Sequence, residues 1–263
     1  MKMKDMTCLV TGSTCGLGET IAQLFLSEGA SVLVTGLAGS LAWDIGAWDN
    51  GSHAAQSHLV YGDLSDTDTP RRLVEAAMDR FGRLDVVVNN AANIDRANAA
   101  STTAAVFDRI MAVNVRAPFL LCKEAFPALK QSGGCILNIG SINGYCGQAD
   151  LLPYSISKGA LHTLSRNLAD AWGAHRIRVN HFVLGWVLTR NEYDRKLLDG
   201  LAENWHLTPP ADAVPFGTMT TPEAIAAAAL YWCSRDSWPL SGNTIELEQF
   251  PMIGRNPPKG RLP

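Results

Sequence analysis

Short runs of consecutive apolar and β-branched residues recur along the chain, at Thr7 to Val10, Val32 to Val34, Leu59 to Tyr61, Val86 to Val88, Ile136 to Ile139 and Ile177 to Phe182. Runs of this kind, apolar at successive rather than alternate positions, mark strands covered on both faces. Between them the pattern changes to the helical period, at Glu19 to Ser27, Pro70 to Phe81, Ala104 to Lys130, Ser155 to Trp172 and Pro222 to Cys233. Thr221 is placed to cap the last of these, with Pro222 at its first helical position. A closing strand is predicted at Thr244 to Leu247. Alternation of strand and helix from end to end predicts βαβ units, and so a doubly wound α/β fold: a mostly parallel seven-stranded sheet with helices on both faces.

With 263 residues, 47% of them hydrophobic, the chain can bury a large core, and it carries no repeat and no low-complexity linker at which to divide. It is expected to be one domain over 1–263. Two irregular stretches interrupt the alternation, 38–57 and 191–217; the second, with Trp205, His206 and the Pro209-Pro210 pair, has the character of a substrate-covering insert at about 190–217. A net charge of −3 with dispersed Lys and Arg gives nucleic acid or an anionic membrane little to grip, which leaves a small-molecule substrate as the expected partner. The charged start Met1 to Asp5 leads into an apolar run too short for a signal peptide. Six cysteines without a CxxC pair or ligand spacing imply reduced thiols, a cytoplasmic setting and no metal site.

The first strand runs straight into Thr11-Gly12-Ser13-Thr14-Cys15-Gly16-Leu17-Gly18 and then a helix. Glycines at such a turn let the backbone approach a pyrophosphate, and the helix N-terminus offers it unpaired N–H groups and partial positive charge. Further on, Tyr154 and Lys158 are four residues apart on a predicted helix and share a face. A phenol with a pKa of about 10 is a poor base at neutral pH, and a neighbouring ammonium is expected to bring it down. Ser141 follows the fifth apolar run, at the carboxyl edge where open α/β sheets bind ligands.

The turn spacing Gly12-x-x-x-Gly16-x-Gly18, with Asp63-Leu64, Asn89-Asn90-Ala91-Ala92, Asn114, Ser141, Tyr154-Ser155-Ile156-Ser157-Lys158 and Gly185 to Thr189, resembles the classical short-chain dehydrogenase/reductase family over residues 7 to about 190. The resemblance implies a Rossmann fold and an NAD(P)-dependent oxidoreductase moving a hydride between nicotinamide and an alcohol/carbonyl substrate. It implies that Ser141 orients the substrate oxygen, Tyr154 exchanges its proton, Lys158 also holds the nicotinamide ribose, and Asn114 completes a relay through water. The dinucleotide is expected against Gly12, Thr14, Cys15, Gly16, Leu17, Gly18, Leu37, Asp63, Leu64, Asn90, Ala91, Tyr154, Lys158, Gly185, Val187 and Thr189. Two positions depart from the family pattern: Ala92 stands for its glycine and Leu184 for its proline before Gly185.

After the second strand the chain reads Val34-Thr35-Gly36-Leu37-Ala38, with neither the acid that binds ribose hydroxyls nor the base that binds a 2′-phosphate. A phosphate facing Leu37 would lose hydration without compensation, which favours NAD over NADP. On the substrate side the expected residues are Ser141, Asn143, Gln148, Tyr154 and Trp186, with Asn93, Ile94, Asn191 and Trp205 nearby. Amides and indole faces suit a polyol, sugar or other hydroxylated small molecule, with a cyclic or aromatic ketone or alcohol as the alternative. A non-catalytic dinucleotide sensor is the rival from another class; a sugar-nucleotide epimerase or dehydratase would need a longer C-terminal substrate region. The family resemblance also implies a homotetramer, and the row Leu161, Leu164, Leu168 and Trp172 would face either a symmetry mate or the subunit's own sheet.

Overall fold

The computed structural model describes residues 1–40 and 55–251. Its strands are β1 (Thr7–Val10), β2 (Ser31–Gly36), β3 (Ser57–Tyr61), β4 (Val86–Asn89), β5 (Cys135–Ile139), β6 (Arg178–Leu184) and β7 (Thr244–Leu247). They form one sheet in the order β3-β2-β1-β4-β5-β6-β7, and every pair is parallel, so the sheet expected to be mostly parallel is wholly so. The whole expected insert, and residues 1–40 and 55–251 of the single domain, fall in the described part; residues 41–54 of the irregular stretch lie outside it.

Strands β1, β4, β5 and β6 are buried along their whole length. Successive residues feed opposite cores, as the pleat requires. Cys8 and Val10 pack with Ile21 and Phe25 of α1 (Gly16–Ser27) and with Ala226 and Ala229, while Leu9 packs on the other face with Leu73, Leu121 and Leu168. The helices on that second face are α2 (Thr69–Phe81), α4 (Ala117–Ser132) and α6 (Leu152–Trp172). Leu168 is buried there, with Leu164 and Trp172 partly so, and the apolar row of α6 therefore faces the subunit's own sheet. Phe119 on α4, and Leu152 and Ile156 on α6, are the large apolar residues those helices leave exposed.

One expected helix is divided. The stretch 104–130 forms α3 (Ala104–Met111), a π-helical segment at Ala112–Arg116, and α4, which runs on to Ser132. The physical reason is Pro118: it has no N–H to give the carbonyl of Asn114 four residues earlier, and the Ala117 N–H reaches back to Ala112 instead. The wider turn aims the Asn114 side chain into the protein, where it is 1% exposed.

The insert also contains more order than its sequence suggests. After a short helix α5 (Asn143–Cys146), the chain builds α7 (Arg190–Leu198) ahead of α8 (Pro222–Cys233). The Thr189 hydroxyl accepts the Glu192 N–H at 3.1 Å, and Arg190 pairs with Asp194. Thr189-x-x-Glu192 has the sequence of a capping box and makes its forward bond, a signal hidden by the polar character of the helix it opens. Trp205, Val214 and Met219 are buried beneath it in a small core of their own, with Trp186, Leu188, Tyr193 and Leu197 packed around them.

Candidate active site

The chain winds outward from β1 to β3, then returns to place β4 on the other side of β1, so the connections leaving β1 and β4 diverge. Divergence at that switch point opens a crevice beyond the carboxyl edge. A cleft of about 400 Å³ lies there, lined by Gly12, Thr14, Cys15, Gly16 and Leu17, by Leu37, Asp63 and Leu64, by Asn90 to Ile94, and by Thr189, Asn191, Glu192 and Arg195. Four separate segments expected at the dinucleotide, the glycine turn, Leu37, Asp63-Leu64 and Asn90-Ala91, are thereby brought together with Thr189.

Within the turn, Gly12 and Gly16 have φ of +63° and +60°, which a side chain would strain. Gly18 does not line the cleft; a Cβ there would strike the Gly12 carbonyl, so its part is to let α1 start close under the turn. No side chain caps that helix, and its first N–H groups remain available to an anion. Asn90 fastens β4 to the turn: its Nδ2 donates to the carbonyls of Thr11 and Gly12 at 2.9 and 3.2 Å, while Thr11 Oγ1 accepts the N–H groups of Asn90 and Ala91. Asp63 accepts the Ser65 N–H at 2.8 Å, and this bond, aided by Arg109 at 3.5 Å, holds its carboxyl below the usual range. Gly185 and Val187 stand outside the cleft lining: the carboxylate of Glu248 fills the space over Gly185, and Val187 is bridged to Thr220.

Ser141, Tyr154 and Lys158 form a second group next to this cleft. The Ser141 hydroxyl stands near enough to the Tyr154 phenol to favour its ionisation, and Glu192 and Arg195 of the cleft wall act electrostatically on that phenol. Lys158, 3% exposed, donates from Nζ to the Ile139 carbonyl at 2.7 Å and lies 5.5 Å from the centre of the Tyr154 ring. Asn114 ties the pieces together. Its Oδ1 accepts the Asn93 N–H at 2.7 Å, and its Nδ2 donates to the Asn93 carbonyl and to Ser157 Oγ, both at 2.9 Å. Its side chain is thus committed to positioning, and Pro118 offers its main-chain carbonyl no N–H four residues on.

The electrostatics differ from the expectation that Lys158 lowers the phenol. Burial, which disfavours the phenolate, pushes Tyr154 up to about 12 against the downward pull of Ser141 and Arg195, and burial brings Lys158 down to about 8. At neutral pH the phenol is protonated and the amine carries its charge. Beneath them His181, bonded to Ser165 Oγ at 3.0 Å, is driven down to about 3 by burial and by the charges of His162 and Lys158. The unfolded chain takes up this proton near pH 6.5 and the folded one only near 3, so the stability is complete above 6.5 and is lost as pH falls between them, by about 1.4 kcal/mol per pH unit. The imidazole of His181 is therefore expected to stay neutral by NMR at pH 5; titration near 6.5 in the folded protein would refute this.

On the substrate side, Asn143 donates to Gln148 Oε1 at 3.3 Å and Gln148 to Asp150 at 3.0 Å, and neither amide lines the cleft. Trp186 stacks on Trp205 at 5.3 Å, carries Lys196 5.3 Å from its ring centre, and donates from Nε1 to Glu192 at 2.8 Å. Both indoles are thus engaged in the insert's core, and Trp205, 8% exposed, offers no open face of the kind expected for it. Asn93, Ile94 and Asn191 do line the cleft. Sequence reasoning missed Arg109, Glu192 and Arg195; for the last two, the capping box was the available clue.

Comparison with known proteins gives consistent relatives. A family model described as enoyl-(acyl carrier protein) reductase matches residues 12–248. An L-fucose dehydrogenase of Oryctolagus cuniculus is 32% identical over 88% of this chain and 79% of its own length. A short-chain dehydrogenase/reductase of Brucella melitensis titled as a glucose/ribitol dehydrogenase superposes with a TM-score of 0.81 at 29% identity, covering 94% of this chain and 96% of the other. A 3-ketoacyl-(acyl-carrier-protein) reductase from the same organism, complexed with NADH, gives 0.79 at 27% identity, covering 93% and 97%.

Proposed function

Since the chain belongs to the classical short-chain dehydrogenase/reductase family and is an NAD(P)-dependent oxidoreductase, we propose that Tyr154 is its acid/base and that its substrate is a polyol, sugar or related hydroxylated small molecule. The observation that carries this reading is the buried Lys158 held 5.5 Å from the Tyr154 ring centre, with Ser141 beside the phenol and the glycine-lined cleft adjoining.

The residues present fit a dinucleotide, because the glycine turn leaves room for a backbone-bound pyrophosphate and the start of α1 is uncapped. Gly12 and Thr14 to Leu17 would hold the phosphates, with Gly18 behind them; Leu37, Asp63 and Leu64 the adenosine; Asn90, Ala91 and Thr189 the nicotinamide half, with Lys158 at its ribose. When bound, the nicotinamide supplies or takes the hydride. Ser141 then holds the substrate oxygen, and Tyr154, protonated at neutral pH, gives its proton to that oxygen in reduction and recovers it in oxidation. Lys158 is the cation the resulting phenolate meets, and the carbonyl of Asn114 anchors the water that returns the proton.

NAD is favoured over NADP. Leu37, half-exposed at the cleft, presents no cation, and Arg109 is engaged by Asp63. Residues 41–54 include Asp44 and Asp49 but no Lys or Arg. The sugar-type reading draws support from the relatives named for fucose and for glucose or ribitol. The exposed Phe119 and Ile156 support a homotetramer built on α4 and α6, and the free cysteines a cytoplasmic setting. Among the described residues no helix is long and apolar enough to cross a membrane.

A panel of polyols, sugars and cyclic alcohols with both dinucleotides, followed at the reduced-nicotinamide band, tests this. Turnover of hydroxylated members is expected, with kcat/KM for NAD above that for NADP by about tenfold or more, a difference of about 1.4 kcal/mol. Leu37→Arg should narrow the ratio. Turnover confined to cyclic ketones or alcohols would replace the substrate reading, and a preference for NADP would overturn the cofactor assignment.

A further inference from the structure

Two guanidinium groups line the cleft, and they are not equivalent. Arg109 is neutralised by Asp63 at 3.5 Å. Arg195 makes one hydrogen bond, from Nη1 to the Ile94 carbonyl at 3.3 Å, and no ion pair among the described residues. The acids around it are occupied: Asp199 receives both arms of Arg96 at 2.8 Å each, Glu192 is held by Trp186 and Lys196, and Asp194 by Arg190. Arg195 is thus the cation of α7 left without a carboxylate, and it faces the cleft.

Its position along α7 separates it from the expected phosphates. Asn191, one turn earlier, reaches Cys15 in the glycine turn at 3.6 Å. Arg195, about 6 Å further along the helix axis, reaches Ile94 beyond β4 and acts on the Tyr154 phenol. The neighbouring Asn93 is fixed by Asn114, so the surface that Arg195 spans is rigid. A partly buried guanidinium with spare donors in a fixed fork matches a planar carboxylate in two parallel bonds.

We propose that Arg195 binds a carboxylate on the substrate, so that the hydroxylated compound oxidised or formed at Tyr154 is an acid, of the sugar-acid or hydroxy-acid class. This rests on the functional reading above and narrows it.

The test compares matched pairs, gluconate against glucitol and galacturonate against galactose, in wild-type protein, Arg195→Gln and Arg195→Lys. The wild type is expected to prefer the acid of a pair. Arg195→Gln should lower the acid-to-neutral ratio of kcat/KM by at least about 30-fold, mainly through KM, because a charge-assisted pair is lost. Arg195→Lys should restore part of it. Preference of the wild type for the neutral members, or a ratio unchanged in Arg195→Gln, overturns the proposal; a rise confined to the dinucleotide KM would assign Arg195 to the cofactor phosphates instead. Should no pair turn over, the failure falls on the functional reading. Calorimetry of gluconate and galacturonate against the protein with NAD then decides Arg195 separately: binding abolished in Arg195→Gln upholds it, and no binding, or binding unchanged by the substitution, overturns it.

Discussion

Tyr154→Phe is expected to lower kcat by about three to four orders of magnitude while dinucleotide affinity stays within about threefold. The substitution removes one oxygen and keeps the ring, so packing around α6 is preserved and only the transferable proton is lost. In the proposed roles Ser141 would remain to hold the substrate oxygen, with no proton donor beside it. Steady-state rates and quenching of tryptophan fluorescence by the dinucleotide would separate the two effects. More than a tenth of the activity surviving would mean that another group donates the proton. Weakened dinucleotide binding of the same size as the rate loss would mean that the phenol serves the cofactor.

The second large effect concerns Lys158, and its two consequences have opposite signs. The amine is 3% exposed, faces no carboxylate among its hydrogen-bonding partners, and is brought down by burial to about 8 from an ordinary 10.5. Since its folded value is depressed, the stability it contributes is present above pH 10.5 and declines as pH falls towards 8. At pH 7 the folded protein bears a penalty of about 3 kcal/mol for holding the ammonium. Lys158→Met fills similar volume without charge and is expected to stabilise the protein by about 1 to 3 kcal/mol, raising Tm by several degrees. The same change should cut kcat/KM by about 10³-fold, because the phenolate that Tyr154 leaves behind would meet no cation. Calorimetric melting and initial rates on one preparation check both. A fall in Tm would show that the bond to the Ile139 carbonyl outweighs the buried charge.

How much of this was legible in the sequence varies with the range of the forces involved. The positions of β1, β7 and α8 agree with the pattern to the residue, because the apolar run of β1, the alternation Thr-Ile-Glu-Leu of β7 and the Thr221-Pro222 start of α8 leave little freedom. Periodicity carries past Pro118 and predicts one unbroken helix at 104–130; only the missing N–H reveals the π-helical turn around Asn114. Helix α7 has no apolar stripe, being held by a cap and ion pairs, so periodicity misses it although Thr189-x-x-Glu192 announces it. Composition points Trp186 and Trp205 at the substrate, and the structure turns their faces on each other. The spacing of Tyr154 and Lys158 specified which groups share a helix face, but the sign of the phenol's shift depends on burial, which spacing does not contain.

By itself the sequence determined the parallel α/β architecture, the glycine turn at the first strand's end, and the pairing of a phenol with an amine one helical turn on. Those features depend on local sterics and on hydrophobic period, both of which act over a few residues. Only the tertiary structure decided what surrounds them: that Asn114 secures the chain after β4, that burial keeps Tyr154 protonated, and that Glu192, Asp194 and Asp199, on and just after the helix of Arg195, already have partners. Each of these balances sums contributions from segments up to a hundred residues apart, such as Arg96 against Asp199, and such partners meet only once the sheet has brought their loops to one edge.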